Sequence, residues 1–185
     1  MIEKYAIVTG AASGIGRATV MLLHDKGYVV HAIDIDTEGL STLPPSVRCW
    51  TCDLDDLETL RDVIARIDAE CPALHVLVNN AGAPGTGATL AEMDFGEWDR
   101  TFALLVRAVA AGTQFALPTL RRAGGASIIN IASVAAFQSG AAGIAYSTAK
   151  AGVLHFSRLA AAELARDQIR VNSVRPWTHN GAVLA

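Results

Sequence analysis

Eight residues near the start, Thr9-Gly10-Ala11-Ala12-Ser13-Gly14-Ile15-Gly16, constrain the fold of this chain more than any other segment. They follow an apolar run, Ala6–Thr9, that reads as a strand. They open a helical pattern, Gly14–Lys26, with Ala18 and Val20–Leu23 on its apolar face and Gly27 at its stop. A strand that ends in a glycine turn and passes straight into a helix is the first half of a βαβ unit, the connection that parallel strands need. Gly10 permits the sharp turn off the strand, Gly14 leaves the main chain bare where an anion would approach, and Gly16 lets the helix lie close to the sheet. The N–H groups of the first helical turn have no partner within the helix, and the positive end of the helix dipole faces the same anion.

The rest of the sequence repeats the alternation. Strands are expected at Val29–Ile33, Val47–Cys52, Leu74–Asn79, Ser127–Ala132 and Ile169–Val174, and helices at Leu57–Glu70, Phe95–Arg122 and Ala145–Arg166. The long stretch Phe95–Arg122 is expected to break or bend near Pro118. Val-Leu-Val and Ile-Ile-Asn-Ile are apolar on both faces, as buried parallel strands are. The expected fold is α/β: a doubly wound parallel sheet of about six strands, order 3-2-1-4-5-6, with helices on both faces. No linker, repeat or low-complexity segment interrupts the chain, so residues 1–185 read as a single domain.

Composition excludes several function classes. Charged residues make up 18% and apolar ones 51%, and the 15 basic residues are scattered through a chain of net charge −3, so a nucleic-acid partner is not expected. Residues Ala123–Ala149 carry no charge, but Asn130, Gln138 and four glycines make them a buried strand and site-forming loop rather than a membrane span. Met1–Lys4 is charged and the apolar run Tyr5–Val8 is too short for a signal peptide, so the expected location is cytoplasmic. Three cysteines do not make a disulfide framework, and Cys49-Trp50-Thr51-Cys52 lies in a strand, where residues three apart point to opposite faces. No metal site is expected there.

Asp34 lies at the end of the second strand, 18 residues beyond Gly16. A carboxylate at that place after a glycine turn accepts hydrogen bonds from both hydroxyls of an adenosine ribose and repels a 2′-phosphate. Ser13 and Ile35 supply no cation for such a phosphate, which favours NAD over NADP, although Arg17 on the first helical turn is a guanidinium within possible reach. Asp53, after the third strand, suits either the adenine amino group or a cap for the Leu54–Leu57 turn.

A second constellation lies downstream. Tyr146 and Lys150 are four apart in a helical pattern and share a face. A tyrosine of ordinary pKa ~10 is a poor acid–base at neutral pH, and a neighbouring ammonium lowers that value by stabilising the phenolate. Ser133 closes the fifth strand at its carboxyl end, where open α/β sheets bind ligands.

Together these motifs resemble the short-chain dehydrogenase/reductase family of the TGxxxGIG type, and the resemblance runs from about Ala6 to Pro176. It is carried by the Thr9–Gly16 turn, Asp53, Asn79-Asn80-Ala81-Gly82, Ser133, Tyr146, Lys150 and Arg170-Val171-Asn172-Ser173-Val174-Arg175-Pro176. The resemblance implies a Rossmann-type domain and hydride transfer between NAD and an alcohol/carbonyl pair. Tyr146 would exchange the proton, Lys150 would hold the nicotinamide ribose and lower the tyrosine pKa, and Ser133 would hydrogen-bond the substrate oxygen. Cofactor contacts are implied for Gly10, Ser13, Gly14, Ile15, Gly16, Asp34, Asp53, Leu54, Asn80, Ala81, Gly82, Tyr146, Lys150 and Pro176. A homodimer through the alanine-rich helices Phe95–Arg122 and Ala145–Arg166 is also expected, and the substrate class stays open among sugar alcohols, steroids, acyl thioesters and simple secondary alcohols.

The pattern departs from the family in two places. Aligning Trp98-Asp99-Arg100-Thr101 puts Leu105 where the family carries an asparagine credited with a water chain to the lysine. Pro176 is followed by Trp177, and Gly181 stands at the position of a threonine that contacts the nicotinamide amide, with Thr178 and His179 as nearby substitutes. The family's last strand is expected to be missing, which would leave the sixth strand as an edge. The tail fits a non-catalytic NAD-binding relative or a frameshifted product better, whereas Ser133, Tyr146 and Lys150 fit the oxidoreductase.

Overall fold

The computed structural model describes residues 3–176, 178–179 and 182–183. Six parallel strands, β1 (Lys4–Thr9), β2 (Tyr28–Asp34), β3 (Arg48–Thr51), β4 (Leu74–Asn79), β5 (Ala126–Ile131) and β6 (Ile169–Val174), form a sheet in the order β3-β2-β1-β4-β5-β6. The helices are α1 (Gly14–Asp25), α2 (Thr37–Ser41), α3 (Leu57–Glu70), α4 (Phe95–Phe102), α5 (Ala108–Arg122) and α6 (Ile144–Leu164). This is the Rossmann-type order expected from the sequence. A separate antiparallel pair joins β7 (Thr178–His179) to β8 (Ala182–Val183). Trp177 and Gly181, the departures noted after Pro176, lie outside the described residues, as do the side chains of Thr178 and His179.

Alternation along the strands divides the core between the two sheet faces. Ile7, Ile33, Leu77 and Ile128 pack with Leu60, Ile64, Ala116 and Leu120 of α3 and α5. Their neighbours Val8, Ala32 and Val78 pack on the other face with Val20 of α1 and Leu40 of α2. A third cluster, Val109, Ala132, Val153 and Leu154, joins α5 to α6. Between β3 and β4 the chain crosses from one edge of the sheet to the far side of β1, so the carboxyl ends of β1 and β4 flank the switch point where this fold opens a crevice.

Two local features differ from expectation. The long helical stretch is interrupted at Ala103–Arg107, a π-helical turn between α4 and α5, whereas α5 runs unbroken through Pro118. Pro118 and Gln114 both face solvent, so water can meet the carbonyl that the proline leaves unpaired. Helix α2 carries no periodic signal because it is one short turn, held by the Asp36 carboxylate accepting from the Gly39 amide at 3.0 Å. By length and composition Phe95–Arg122 is apolar enough to cross a membrane, but half of its apolar window is buried inside the protein.

His31 of β2 is fully buried with its ring between those of Tyr5 and Trp50. The Trp50 indole N–H donates to its Nδ1 at 3.1 Å, while Nε2 is buried without a partner among the described residues. Burial, assisted by the Arg48 charge, lowers its pKa from 6.5 to about 4. The neutral ring is therefore the folded form, while the unfolded chain takes up the proton as pH falls below 6.5. The stability tied to His31 is complete above 6.5 and is lost as pH falls toward 4, at most about 3 kcal/mol. Urea midpoints at pH 7 and pH 5 should show His31→Phe less stable than the parent at pH 7, by about 1–2 kcal/mol for the orphaned Trp50 donor. The gap should narrow at pH 5; a gap of equal size at both values would refute the assignment.

Candidate active site

The glycine turn is fixed by what a side chain would strike. Gly10 has φ +64°, and a Cβ there would stand 2.7 Å from Ala81 Cα. A Cβ on Gly16 would stand 1.8 Å from the Gly10 carbonyl oxygen, so the first turn of α1 rests on the loop before it. Nothing lies within 4 Å of a Cβ built at Gly14, which leaves the main chain open on that side. Ser13 caps α1 through its backbone without a side-chain hydrogen bond, and no acid occupies the first turn. The helix N-terminus is thus free of any competing carboxylate of its own.

Thr9 and Asn80 lace this turn to the end of β4. The Asn80 amide nitrogen donates to the Thr9 and Gly10 carbonyls at 2.9 and 3.0 Å, and the Asn80 and Ala81 amides donate to Thr9 Oγ1 at 3.0 and 3.1 Å. The side-chain donor of Asn80 is therefore engaged in holding the turn. The sequence places Thr9 at the head of the glycine motif but assigns its hydroxyl no role; here that hydroxyl accepts from both amides at the end of β4.

Asp34 accepts from the Ala12 amide at 2.8 Å through Oδ2 and from the Asp36 amide at 3.0 Å through Oδ1. Its carboxylate is pinned against the glycine turn at the end of β2. Arg17 is engaged at the end of α2, donating to Thr42 Oγ1 at 2.5 Å and to the Thr42 carbonyl at 3.1 Å. Asp53 accepts from the Asp55 amide at 3.0 Å, and the cap of α3 is Asp56, not Asp53. Leu54 has its side chain in the core, which leaves its main chain for any outside contact.

Ser133 follows β5 and opens a short 3-10 turn, its Oγ accepting from the Ala135 amide at 3.2 Å. Tyr146 stands in the first turn of α6, half-buried, with Gly85 packed beside it: a Cβ there would be 3.7 Å from Tyr146 Cβ. Lys150, one turn on, is only 4% exposed, and its ammonium donates to the Ile131 carbonyl at 2.7 Å and lies 5.7 Å from the Tyr146 ring centre. Burial lowers its pKa from 10.5 to about 8. Beneath these residues runs a buried polar chain that sequence reasoning missed. Asn79 donates to Thr113 Oγ1 at 3.2 Å and to Asn130 Oδ1 at 2.8 Å, Asn130 donates to Ser157 Oγ at 2.9 Å, and Ser157 donates to the Val153 carbonyl at 2.7 Å. An asparagine inside Ile-Ile-Asn-Ile was its sequence signal, since a buried amide requires partners.

A short-chain dehydrogenase model matches residues 4–183. The chain belongs to the short-chain dehydrogenase family. It is 37% identical to cis-4-hydroxycyclohexanecarboxylate dehydrogenase of Sinomonas cyclohexanicum over 181 residues, covering 94% of this chain and 72% of that protein. A short-chain dehydrogenase structure from Streptomyces avermitilis superimposes with TM-score 0.87 at 34% identity, covering 94% of this chain and 65% of that one. NAD+-bound xylitol dehydrogenase superimposes with TM-score 0.88 at 26% identity, over 94% of this chain and 69% of that one. The chain thus spans about two thirds to three quarters of the length of these family members. They are oxidoreductases, and the general chemistry of the family is oxidoreduction with a nicotinamide dinucleotide.

The buried ammonium of this family member has a measurable cost. Below about pH 8 both folded and unfolded Lys150 carry the proton and the full desolvation penalty applies; between about 8 and 10.5 the unfolded chain binds more protons, so stability rises with pH. Lys150→Met should therefore be more stable than the parent at pH 7, by on the order of 1–3 kcal/mol. Urea unfolding should show this advantage shrinking by pH 10; an advantage that grows with pH would contradict the burial argument.

Proposed function

We propose that this chain is an NAD-dependent oxidoreductase acting on a small-molecule alcohol or ketone, with Tyr146 as the acid/base. The observation that carries the reading is the Lys150 ammonium, buried against the Ile131 carbonyl one helical turn from Tyr146. The residues suit the dinucleotide. The uncovered main chain at Gly14 and the open α1 N-terminus would take its pyrophosphate, and Asp34 its adenosine ribose. Asp53, Leu54, Ala81, Gly82 and Pro176 are proposed to line the rest of the cleft. The bound cofactor supplies the hydride donor or acceptor.

Every other part falls to the chain itself. Tyr146 gives its phenolic proton to the carbonyl oxygen during reduction, or takes the hydroxyl proton during oxidation. Lys150, its ammonium 5.7 Å from the centre of the Tyr146 ring, stabilises the phenolate and holds the nicotinamide ribose. The Ser133 hydroxyl donates to the substrate oxygen as charge develops there. NAD is favoured over NADP because Asp34 faces the turn and Arg17 is bound to Thr42. The three cysteines are free, which suits the reducing cytoplasm.

Fluorescence titration should give saturable NADH binding that is tighter than NADPH binding, and Asp34→Ala should weaken NADH by about 10–100-fold. With secondary alcohols and NAD, Tyr146→Phe should abolish turnover while leaving NADH affinity within about twofold. Retained turnover in that variant would remove Tyr146 from the mechanism. The helices Phe95–Arg122 and Ala145–Arg166 are proposed to form a homodimer, with Leu159 an exposed apolar residue on α6. Light scattering at micromolar concentration should return twice the 19.4 kDa chain mass, and a monomer would end that proposal.

A further inference from the structure

The π-helical turn Ala103–Arg107 interrupts an otherwise regular helical stretch, and such widened turns are rare and concentrated at functional sites. Its middle residue, Leu105, is 1% exposed, whereas Leu104 and Val106 beside it are only partly buried. A Cβ built on Gly82 would stand 2.9 Å from Leu105 Cδ2 and 3.7 Å from Lys150 Nζ. The leucine methyl and the ammonium therefore border the same small space under the 80–82 loop. The ammonium's other neighbours are the Ile131 carbonyl and the Tyr146 ring, and no carboxylate pairs with it among the described residues.

We propose that Leu105 is a positioning residue for the proposed reaction: its methyl groups keep water from the α5 side of Lys150, so that the ammonium acts on Tyr146 from a dry site. The inference rests on Tyr146 and Lys150 acting as proposed, but its first consequence concerns the lysine alone. An ammonium in a dry site interacts with a phenolate more strongly than a hydrated one at the same distance, because the effective dielectric is lower. The same dryness makes the ammonium release its proton more easily, in line with the lowering of Lys150 to about 8. Leu105 thus strengthens the lysine–tyrosine interaction near neutral pH and ends it sooner on the alkaline side.

Other charged groups on the surrounding elements are engaged away from Lys150. Arg107 of the π turn donates to the Asp55 carbonyl at 3.0 Å, and Glu97 of α4 accepts from Thr86 at 2.7 Å. Arg175, beyond β6, lies over the Phe137 ring at 4.9 Å, and Asp99 and Arg100 of α4 face solvent. On α6 the titratable neighbour is Tyr146.

The chain has only three lysines, Lys4, Lys26 and Lys150, so 13Cε-lysine labelling gives a spectrum that Lys150→Met assigns. Titration of the full chain should place the parent Lys150 midpoint near 8. Leu105→Ala, which opens the space to water, and Leu105→Asn, which fills it with an amide, should each raise the midpoint by about one pH unit or more. Leu105→Met keeps the site apolar and should stay within about 0.3 of the parent. If Leu105→Ala does not fold, the Asn and Met variants decide. The proposal is overturned if the Asn variant titrates with the parent, or if Met shifts as far as Asn. None of these readings needs turnover, so a failure of the oxidoreductase assignment would leave the titration intact.

Discussion

The joint between the ends of β1 and β4 sets the geometry of everything above the sheet. Gly16 approaches the Gly10 carbonyl so closely that no side chain fits, and Gly10 in turn lies against Ala81. Thr9 and Asn80 close this contact with hydrogen bonds that satisfy main-chain groups a tight turn would otherwise leave bare. The consequence is a bare stretch of backbone at the start of α1, fixed relative to both central strands. Asp34 is tied to the same turn through the Ala12 amide, so the carboxylate and the helix N-terminus move as one piece. A ligand that touched both would need little rearrangement of the protein, which is how preorganisation adds to affinity.

The other half of the site is held by different means. Tyr146 and Lys150 ride on α6, a helix outside the sheet, and their positions depend on how that helix is docked. Two sets of polar contacts dock it. The Lys150 ammonium grips the Ile131 carbonyl at the end of β5, and Ser157, two turns further along, takes the Asn130 amide from inside the same strand. Asn130 continues to Asn79 and Thr113, so the register of α6 is tied across β5 and β4 to α5. Apolar packing of Val153 and Leu154 on Val109 supplies adhesion, but it tolerates small slides that hydrogen bonds between buried amides do not.

Much of this was legible in the sequence, for identifiable reasons. Parallel strands buried on both faces leave apolar runs, and the glycine turn fixes where the first helix starts, so the strand positions and the Gly10–Gly16 region followed from pattern, while the strand order came with the fold type that the turn implies. Tyr146 and Lys150 share a helix face by spacing alone. What did not follow was anything decided by tertiary contact. Pro118 signals a break, yet α5 runs on through it, while the interruption falls at Ala103–Arg107, where no residue type announces it. The hydrogen bonds of Arg17 go to Thr42, 25 residues away, a tertiary contact that leaves no mark in a local window. The Asn79–Asn130–Ser157 chain draws on three separate elements, and no local window contains more than one of its members.

The two halves also differ in how function relates to stability. At the glycine turn the chemistry that would hold a ligand and the packing that holds the fold coincide: removing a glycine there damages both. At Lys150 they oppose one another, because an ammonium with one carbonyl partner in an apolar site is less stable than a hydrocarbon would be. A site that keeps such a charge needs the rest of the core to offset it. Changes to the α6 residues should therefore separate chemistry from folding, whereas changes to the turn between β1 and α1 should not.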